Sequence, residues 1–273
     1  MEHASNYGLR DEIKAYWSAR AATFDLSPGH EIFTDAEREA WQKLILRHLG
    51  EGNGRQALDL ASGTGVVSHL LDDLGFAVTG LDWAEPMLDL ARAKARKRGR
   101  SIRFRLGDAE NTMEPDSTYD VVVTRHLVWT LVDPKAAFAE WRRVLKPGGR
   151  LLIVDGDFVT AGFTEKALKR LAKLLQKFGL LKADAVAASP AMMEAHKSIL
   201  SRVHFSGGAR ANDVADLVTA AGFHDVRVDV DLRQIHKAQS THWNTLSAMA
   251  RGIQHRYAIS ATKPIADASD APR

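Results

Sequence analysis

The stretch Ala57-Leu-Asp-Leu-Ala-Ser-Gly-Thr-Gly65 is a short apolar run carrying one carboxylate that breaks into five small residues. Small residues after a strand let the backbone approach a ligand closely. A run with helical spacing, 66–74, follows at once. Strand, glycine turn and helix in this order open a nucleotide-type α/β unit, and Asp59, just ahead of the turn, bears on which ligand such a turn takes.

Outward from that unit, β-branched runs at 56–60, 77–81, 102–106, 119–124 and 150–154 read as strands, with helices over 66–74, 85–97 and 134–144 between them. This alternation is the pattern of a parallel sheet covered by helices. Asp133-Pro134 supplies a cap and a first helical residue, and Lys146-Pro-Gly-Gly149 a stop. The alternation is interrupted by a leucine- and lysine-rich helix over 163–181 and a second over 183–200. It resumes with a helix over 211–221, a strand over 223–230 and a last strand near 256–261. Two helices, 10–24 and 35–49, precede the sheet, joined by the Ser27-Pro-Gly29 turn. The expected organisation is an N-terminal helical lid (1–50), a core (51–155), a helical cap insertion (156–205), the rest of the core sheet (206–263) and a polar, unstructured tail (264–273).

With 273 residues, 45% of them hydrophobic, the chain suffices for one large α/β domain. No window holds the roughly 18–20 apolar residues of a membrane span and the N-terminus lacks a signal-peptide pattern, so the expectation is a cytoplasmic protein without membrane insertion. The absence of cysteine excludes disulfides, thiolate catalysis and cysteine-held metals. Eleven histidines include no pair at i, i+4 spacing, and no metal is expected. The net charge of +3 comes largely from one acid-free run between Arg92 and Arg105. On this fold that run ends a helix pointing away from the ligand edge, with no interleaved aromatics for base stacking, so nucleic acid is not the expected partner.

A dinucleotide fingerprint wants a third glycine where this chain has Ser68, and the charge of Asp59 opposes a pyrophosphate while favouring an ammonium. Asp82 follows 23 residues later at a strand end, suited to ribose hydroxyls. Trp83 and Met87 offer apolar surface to an adenine face, and Asp108, within Gly107-Asp-Ala109, suits its amino group. Together with Tyr119-Asp-Val-Val-Val123 and Leu145-Lys-Pro-Gly-Gly149, these segments resemble the class I S-adenosylmethionine-dependent methyltransferases, in particular the ubiquinone/menaquinone-biosynthesis-like branch acting on small molecules.

The resemblance implies a Rossmann-like, seven-stranded, mostly parallel sheet and S-adenosylmethionine as cofactor. Asp59 would hold the methionine ammonium, and the backbone of Ala61, Ser62, Gly63 and Gly65 would pass beside the methionine. Asp82 would hold ribose, and Gly107, Asp108 and Ala109 would meet adenine. The family's loop commonly has glycine at the position of Ala61, so the backbone there is expected not to need a glycine-only conformation. The end of the fourth strand makes Arg125 a cofactor contact, His126 a candidate general base and Trp129 part of the acceptor floor. The Tyr16-Trp17, Arg20-Ala21, Phe24-Asp25 pattern is similar to relatives whose N-terminal helix closes over the cofactor, which makes Tyr16, Trp17 and Arg20 lid residues. His196, His204, His236 and His242 are candidate acceptor-pocket residues with Met192, Met193, Arg233 and Trp243. The expected partner is a small-molecule methyl acceptor, methylated on nitrogen, oxygen or carbon by a monomer or homodimer. The alternatives are a nicotinamide-dependent oxidoreductase and a non-catalytic methyltransferase-like binding protein.

Overall fold

The computed structural model describes residues 8–160, 162–181 and 189–265. Helices α1 (Leu9–Phe24) and α2 (Asp35–Leu49) lead into β1 (Gln56–Leu60), α3 (Val66–Asp73), β2 (Ala77–Asp82), α4 (Glu85–Lys97), β3 (Arg103–Leu106), β4 (Tyr119–Arg125), α5 (Pro134–Val144) and β5 (Leu145–Gly156). Then follow α6 (Phe163–Lys177), α7 (Pro190–Leu200), α8 (Ala211–Ala220), β6 (His224–Asp229), α9 (Arg233–Ser240), α10 (Thr245–Gly252) and β7 (Arg256–Thr262). The strands form one sheet in the order β3-β2-β1-β4-β5-β7-β6, with β7 antiparallel to both neighbours. This is the expected Rossmann-like α/β fold.

The central strands β1, β4 and the second half of β5 read as nearly unbroken apolar runs because both faces are covered. Leu58, Leu60, Val122, Leu151, Ile153 and Ile259 pack on one face against Phe138 and Trp141 of α5 and Val214 of α8. Their alternates Ala57, Val121, Val123, Leu152 and Val154 pack on the other against Trp41 and Leu44 of α2 and Leu70 of α3. Helix starts follow their caps: Thr34 accepts from the Glu37 amide, Asp133 from Ala136, Ser189 from Met192 and Asn244 from Ser247.

Three boundaries differ from the sequence expectation. β5 begins at Leu145, so the Lys146–Gly149 segment lies within a strand; the register with β4 shifts between Tyr119 and Val121, and Lys146 pairs with Asp120 at 2.9 Å. The first insertion helix stops at Lys177. The second is described only as Pro190–Leu200, residues 183–188 of the expected helix lying outside the described residues, as do 1–7 of the lid and 266–273 of the tail. Helices α9 and α10 were not expected at all: each has eight residues, and only Ile235 and Gln239 of α9 and Ala250 of α10 are buried.

Five of the eight basic residues between Arg92 and Arg105 pair with acids of the same chain. Arg98 and Arg100 pair with Asp73, Arg92 with Glu85 and Asp89, Arg105 with Glu114, and Lys94 with Asp25 and Glu31. No helix among the described residues is long and apolar enough to cross a membrane.

Candidate active site

In an open α/β sheet the ligand crevice lies at the carboxyl ends of the parallel strands, where the strand order reverses. Here β1 and β4 are neighbours, and a cavity of 780 Å³ opens above them. Every residue named from sequence for the cofactor, the base or the N-terminal helix lines it except Gly65, which caps α3 in a left-handed conformation (φ 84°), where a Cβ would meet the Phe104 ring at 3.0 Å.

Three acids stand at successive strand ends. Asp59 is 1% exposed and accepts from the Ser68 hydroxyl at 2.6 Å. The residue that breaks the dinucleotide fingerprint is thus the one that solvates this carboxylate, which a glycine could not do. No cation pairs with Asp59 among the described residues, and burial raises its pKa to about 7. A buried carboxylate facing a cavity without a cationic partner fits an ammonium, so the residues present suit an amino-acid head group. Asp82 accepts from the amides of Gly63 and Ala84, both at 2.8 Å, and burial lifts its pKa to about 6. Each of its oxygens keeps a lone pair for a ribose hydroxyl. Asp108 is half-buried and paired at 2.7 Å with Arg10 of α1, which also reaches Glu110 at 2.6 Å.

Ala61 corrects the sequence expectation. Its φ is 52°, in the left-handed region, so the turn does use a conformation that favours glycine, and alanine bears it with strain. His126 shares the feature with φ 58°. Its backbone amide donates to the Val154 carbonyl, its own carbonyl accepts from the Trp129 indole at 3.0 Å, and its ring meets Phe158 edge-on. Burial, followed by the charges of Arg125 and Arg256, holds its pKa well below the usual imidazole value. The imidazole is therefore neutral at physiological pH but weakly basic.

Arg125 lines the cavity, yet its guanidinium donates to the carbonyls of Gly29 (3.3 Å) and His30 (2.8 Å) and stacks over Trp41. Its hydrogen bonds go to the loop between α1 and α2, so it fixes that loop against the end of β4. Tyr16, Trp17 and Arg20 face the cavity from α1, and Trp17 meets Trp129 edge-on with centroids 6.3 Å apart. At the far end of α1, Asp25 accepts from the Thr64 hydroxyl and pairs with Lys94.

Of the insertion, α7 lines the cavity through Met192, Met193, His196 and Lys197, whereas α6 packs on α10 and contributes nothing to the wall. Trp243 lines it as expected. Arg233 does not: it is exposed and paired with Asp231. Nor do His204, against Phe205, His236, or His242, against Phe33. No metal-holding cluster occurs among the described residues.

Sequence reasoning missed Phe24, His30, Phe158, Arg251, Gln254 and Arg256 on the wall. The signal for Arg256 was available. In an antiparallel strand it is the first residue that reaches the carboxyl edge of its neighbours, and Arg256 opens β7 opposite Gly156 of β5.

A methyltransferase-domain family model matches residues 58–153, the span that carries all three acids. The phosphoethanolamine N-methyltransferase 2 of Haemonchus contortus, solved with S-adenosylmethionine, superposes with a TM-score of 0.58 at 16% identity over 96% of this chain; the chain spans 58% of that protein. The PH0226 protein of Pyrococcus horikoshii superposes with a TM-score of 0.57 at 20% identity, covering 89% of this chain and 97% of that one. The shared fold, the matched domain and the acid set define a class I methyltransferase, an enzyme whose cofactor is S-adenosylmethionine. A demethylmenaquinone methyltransferase of Thermus thermophilus is 34% identical over 61% of this chain and 81% of its own. A ubiquinone/menaquinone biosynthesis C-methyltransferase of Desulfotalea psychrophila is 28% identical over 78% of this chain and 83% of its own. The chain belongs to this ubiquinone/menaquinone-biosynthesis-like branch of the family.

Proposed function

We propose that the enzyme methylates a small, planar aromatic acceptor of the quinol or phenol type, held between α1, α7 and the ends of β4 and β7. The observation that carries this reading is the wall beyond the acids. Trp17, Trp129, Phe158, Trp243, Met192 and Met193 converge there, and the rings of Trp17, Trp129 and Phe158 meet edge-on. Such a wall suits a flat apolar molecule. A volume of 780 Å³ lies in the upper part of the ~300–1,000 Å³ span of ligand pockets, room for a cofactor and a second small molecule. The names of the relatives agree with a quinone-type acceptor.

The cofactor, when bound, supplies an activated methyl on a sulfonium. In this reading Asp59 holds its ammonium, Asp82 its ribose, and Gly107, Asp108 and Ala109 its adenine, with Trp83 and Met87 against the ring. The Ala61–Thr64 backbone lies beside the methionine. Trp129 and the α1 residues Tyr16, Trp17 and Arg20 align the acceptor and exclude water, the main contribution a protein makes to an in-line displacement. His126 contacts the acceptor as a neutral imidazole; its lowered basicity makes it a poorer match to general-base work near neutral pH.

The test is turnover of S-adenosylmethionine with 1,4-naphthoquinol under anaerobic conditions. S-adenosylhomocysteine should form well above the acceptor-free rate, with the label from a methyl-labelled cofactor in the organic-soluble product. Binding of the cofactor without transfer to this or related phenols would remove the aromatic-acceptor reading.

A further inference from the structure

We propose that the half of the cavity facing β7 is a subsite for an anionic oxygen group, which Arg256 receives: the acceptor presents a carboxylate, phosphate or phenolate to its guanidinium. This rests on the reading of that half as the acceptor site and adds the charge of its occupant.

Arg256 is a partly buried guanidinium with little to do in the folded chain. It donates to Gln239 Oε1 and Gln254 Oε1, both at the outer limit of 3.4 Å, and its Nε is buried without a hydrogen-bond partner among the described residues. Phe158 lies 6.0 Å from it. The two carboxylates nearest in charge are occupied elsewhere. Asp155 accepts from the amides of Val128 and Gly156, at 2.7 and 2.8 Å, and burial lifts its pKa to about 7. Glu165 accepts from Lys169 at 2.5 Å and from the Gln254 amide at 3.0 Å. A buried charge without a matched partner is costly, and the planar fork of an arginine matches an oxyanion in two parallel hydrogen bonds.

The surroundings point the same way. Arg251 lines the same wall, stacked on Trp243 at 3.7 Å, and Arg125 and the neutral His126 stand beside them. Burial and these cations lower the pKa of Arg256 to about 10, so it stays charged at neutral pH. The acids that line the cavity, Asp59, Asp82, Asp108 and Glu110, belong to the segments at the ends of β1 to β3, whereas its cations come from elsewhere: Arg125 at the end of β4, Arg20 of α1, Lys197 of α7, and Arg251 and Arg256 at the end by β7. A cationic cofactor at the acidic end leaves the basic end for an anion. For a phenol, the same contact favours the ionised form and so raises electron density at the oxygen and the ring carbons beside it.

The test uses full-length protein saturated with S-adenosylhomocysteine, titrated calorimetrically with benzoate, phenyl phosphate, 4-nitrophenolate and neutral benzamide. At least one anion should bind about tenfold or more tighter than benzamide, the order expected when a buried charge is matched, and the preferred anion tells the three sources apart. Arg256→Met should remove the preference while S-adenosylhomocysteine affinity stays within about twofold, and Arg256→Lys should keep part of it. Because the removed charge has no carboxylate within ion-pairing distance among the described residues and only two long hydrogen bonds, the Met variant should melt no lower than wild type. Benzamide bound as tightly as the anions overturns the proposal but leaves the aromatic acceptor site standing. Failure of all four probes on the cofactor-loaded protein overturns both. A Met variant that melts well below wild type and keeps the anion preference assigns Arg256 to structure and also overturns the proposal.

Discussion

Ala61 and Asp59 stand two residues apart, and each carries an energetic cost set by the ligand they face. At φ 52° an alanine gives up ~1 kcal/mol relative to glycine. Ala61→Gly should therefore raise the melting temperature of the cofactor-free protein by about 2 °C, and Ala61→Val should lower it and weaken S-adenosylhomocysteine binding; differential scanning calorimetry reads both. Asp59 has a pKa raised by burial to about 7, so the folded chain holds its proton where the unfolded chain has lost it. Stability from this group is full below the unfolded value near 4 and drains as pH rises through about 7. Asp59→Asn cannot ionise and accordingly should gain in melting temperature over wild type between pH 5 and pH 8, while losing cofactor affinity at every pH. An unchanged difference between the two pH values would show that the pKa of Asp59 is not raised in the folded chain. The place of Asp59 on the cavity wall was legible in the sequence because its strand-end position defines it. The conformation of Ala61 was not, because a penalty of ~1 kcal/mol is easily overridden by the packing around a turn.

At the scale of elements, α1 is tied down at both ends. Arg10 reaches Asp108 and Glu110 at its start, and Asp25 meets Thr64 and Lys94 just past its end. The Arg10 contacts are half-exposed, so each is worth ~0.5–1 kcal/mol. Arg10→Met should raise the dissociation rate of S-adenosylhomocysteine by about two- to fivefold in stopped-flow displacement, with little change in melting temperature; an unaltered rate would mean that α1 does not gate the site. The strands and helices around the acids were readable from alternating periodicity and from Asp133-Pro134. Helices α9 and α10 were not, because eight-residue helices with one or two buried positions carry no periodic signal. Arg256 was overlooked for a topological reason: only the strand direction of β7 reveals that its first residue, rather than its last, joins the site.

At the scale of the whole molecule, charge is distributed by function. Five of the eight basic residues in the run that dominates the net charge of the sequence pair with Asp25, Glu31, Asp72, Asp73, Glu85, Asp89 and Glu114, whereas the cations that face the cavity are scattered over α1, β4, α7, α10 and β7. Linear charge patterning therefore drew the eye to the wrong arginines. In the proposed arrangement one cavity holds S-adenosylmethionine against the acids of β1 to β3 and turns its reactive end toward the aromatic, basic half. A crystal structure of the enzyme with S-adenosylhomocysteine tests it most directly. The ammonium should lie within hydrogen-bond reach of Asp59, directly or through one water, with both ribose hydroxyls on Asp82 and the sulfur facing the wall formed by Trp129, Phe158 and Arg256. A cofactor found reversed, with adenine against Phe158 and Arg256 and no contact to Asp59, would contradict it.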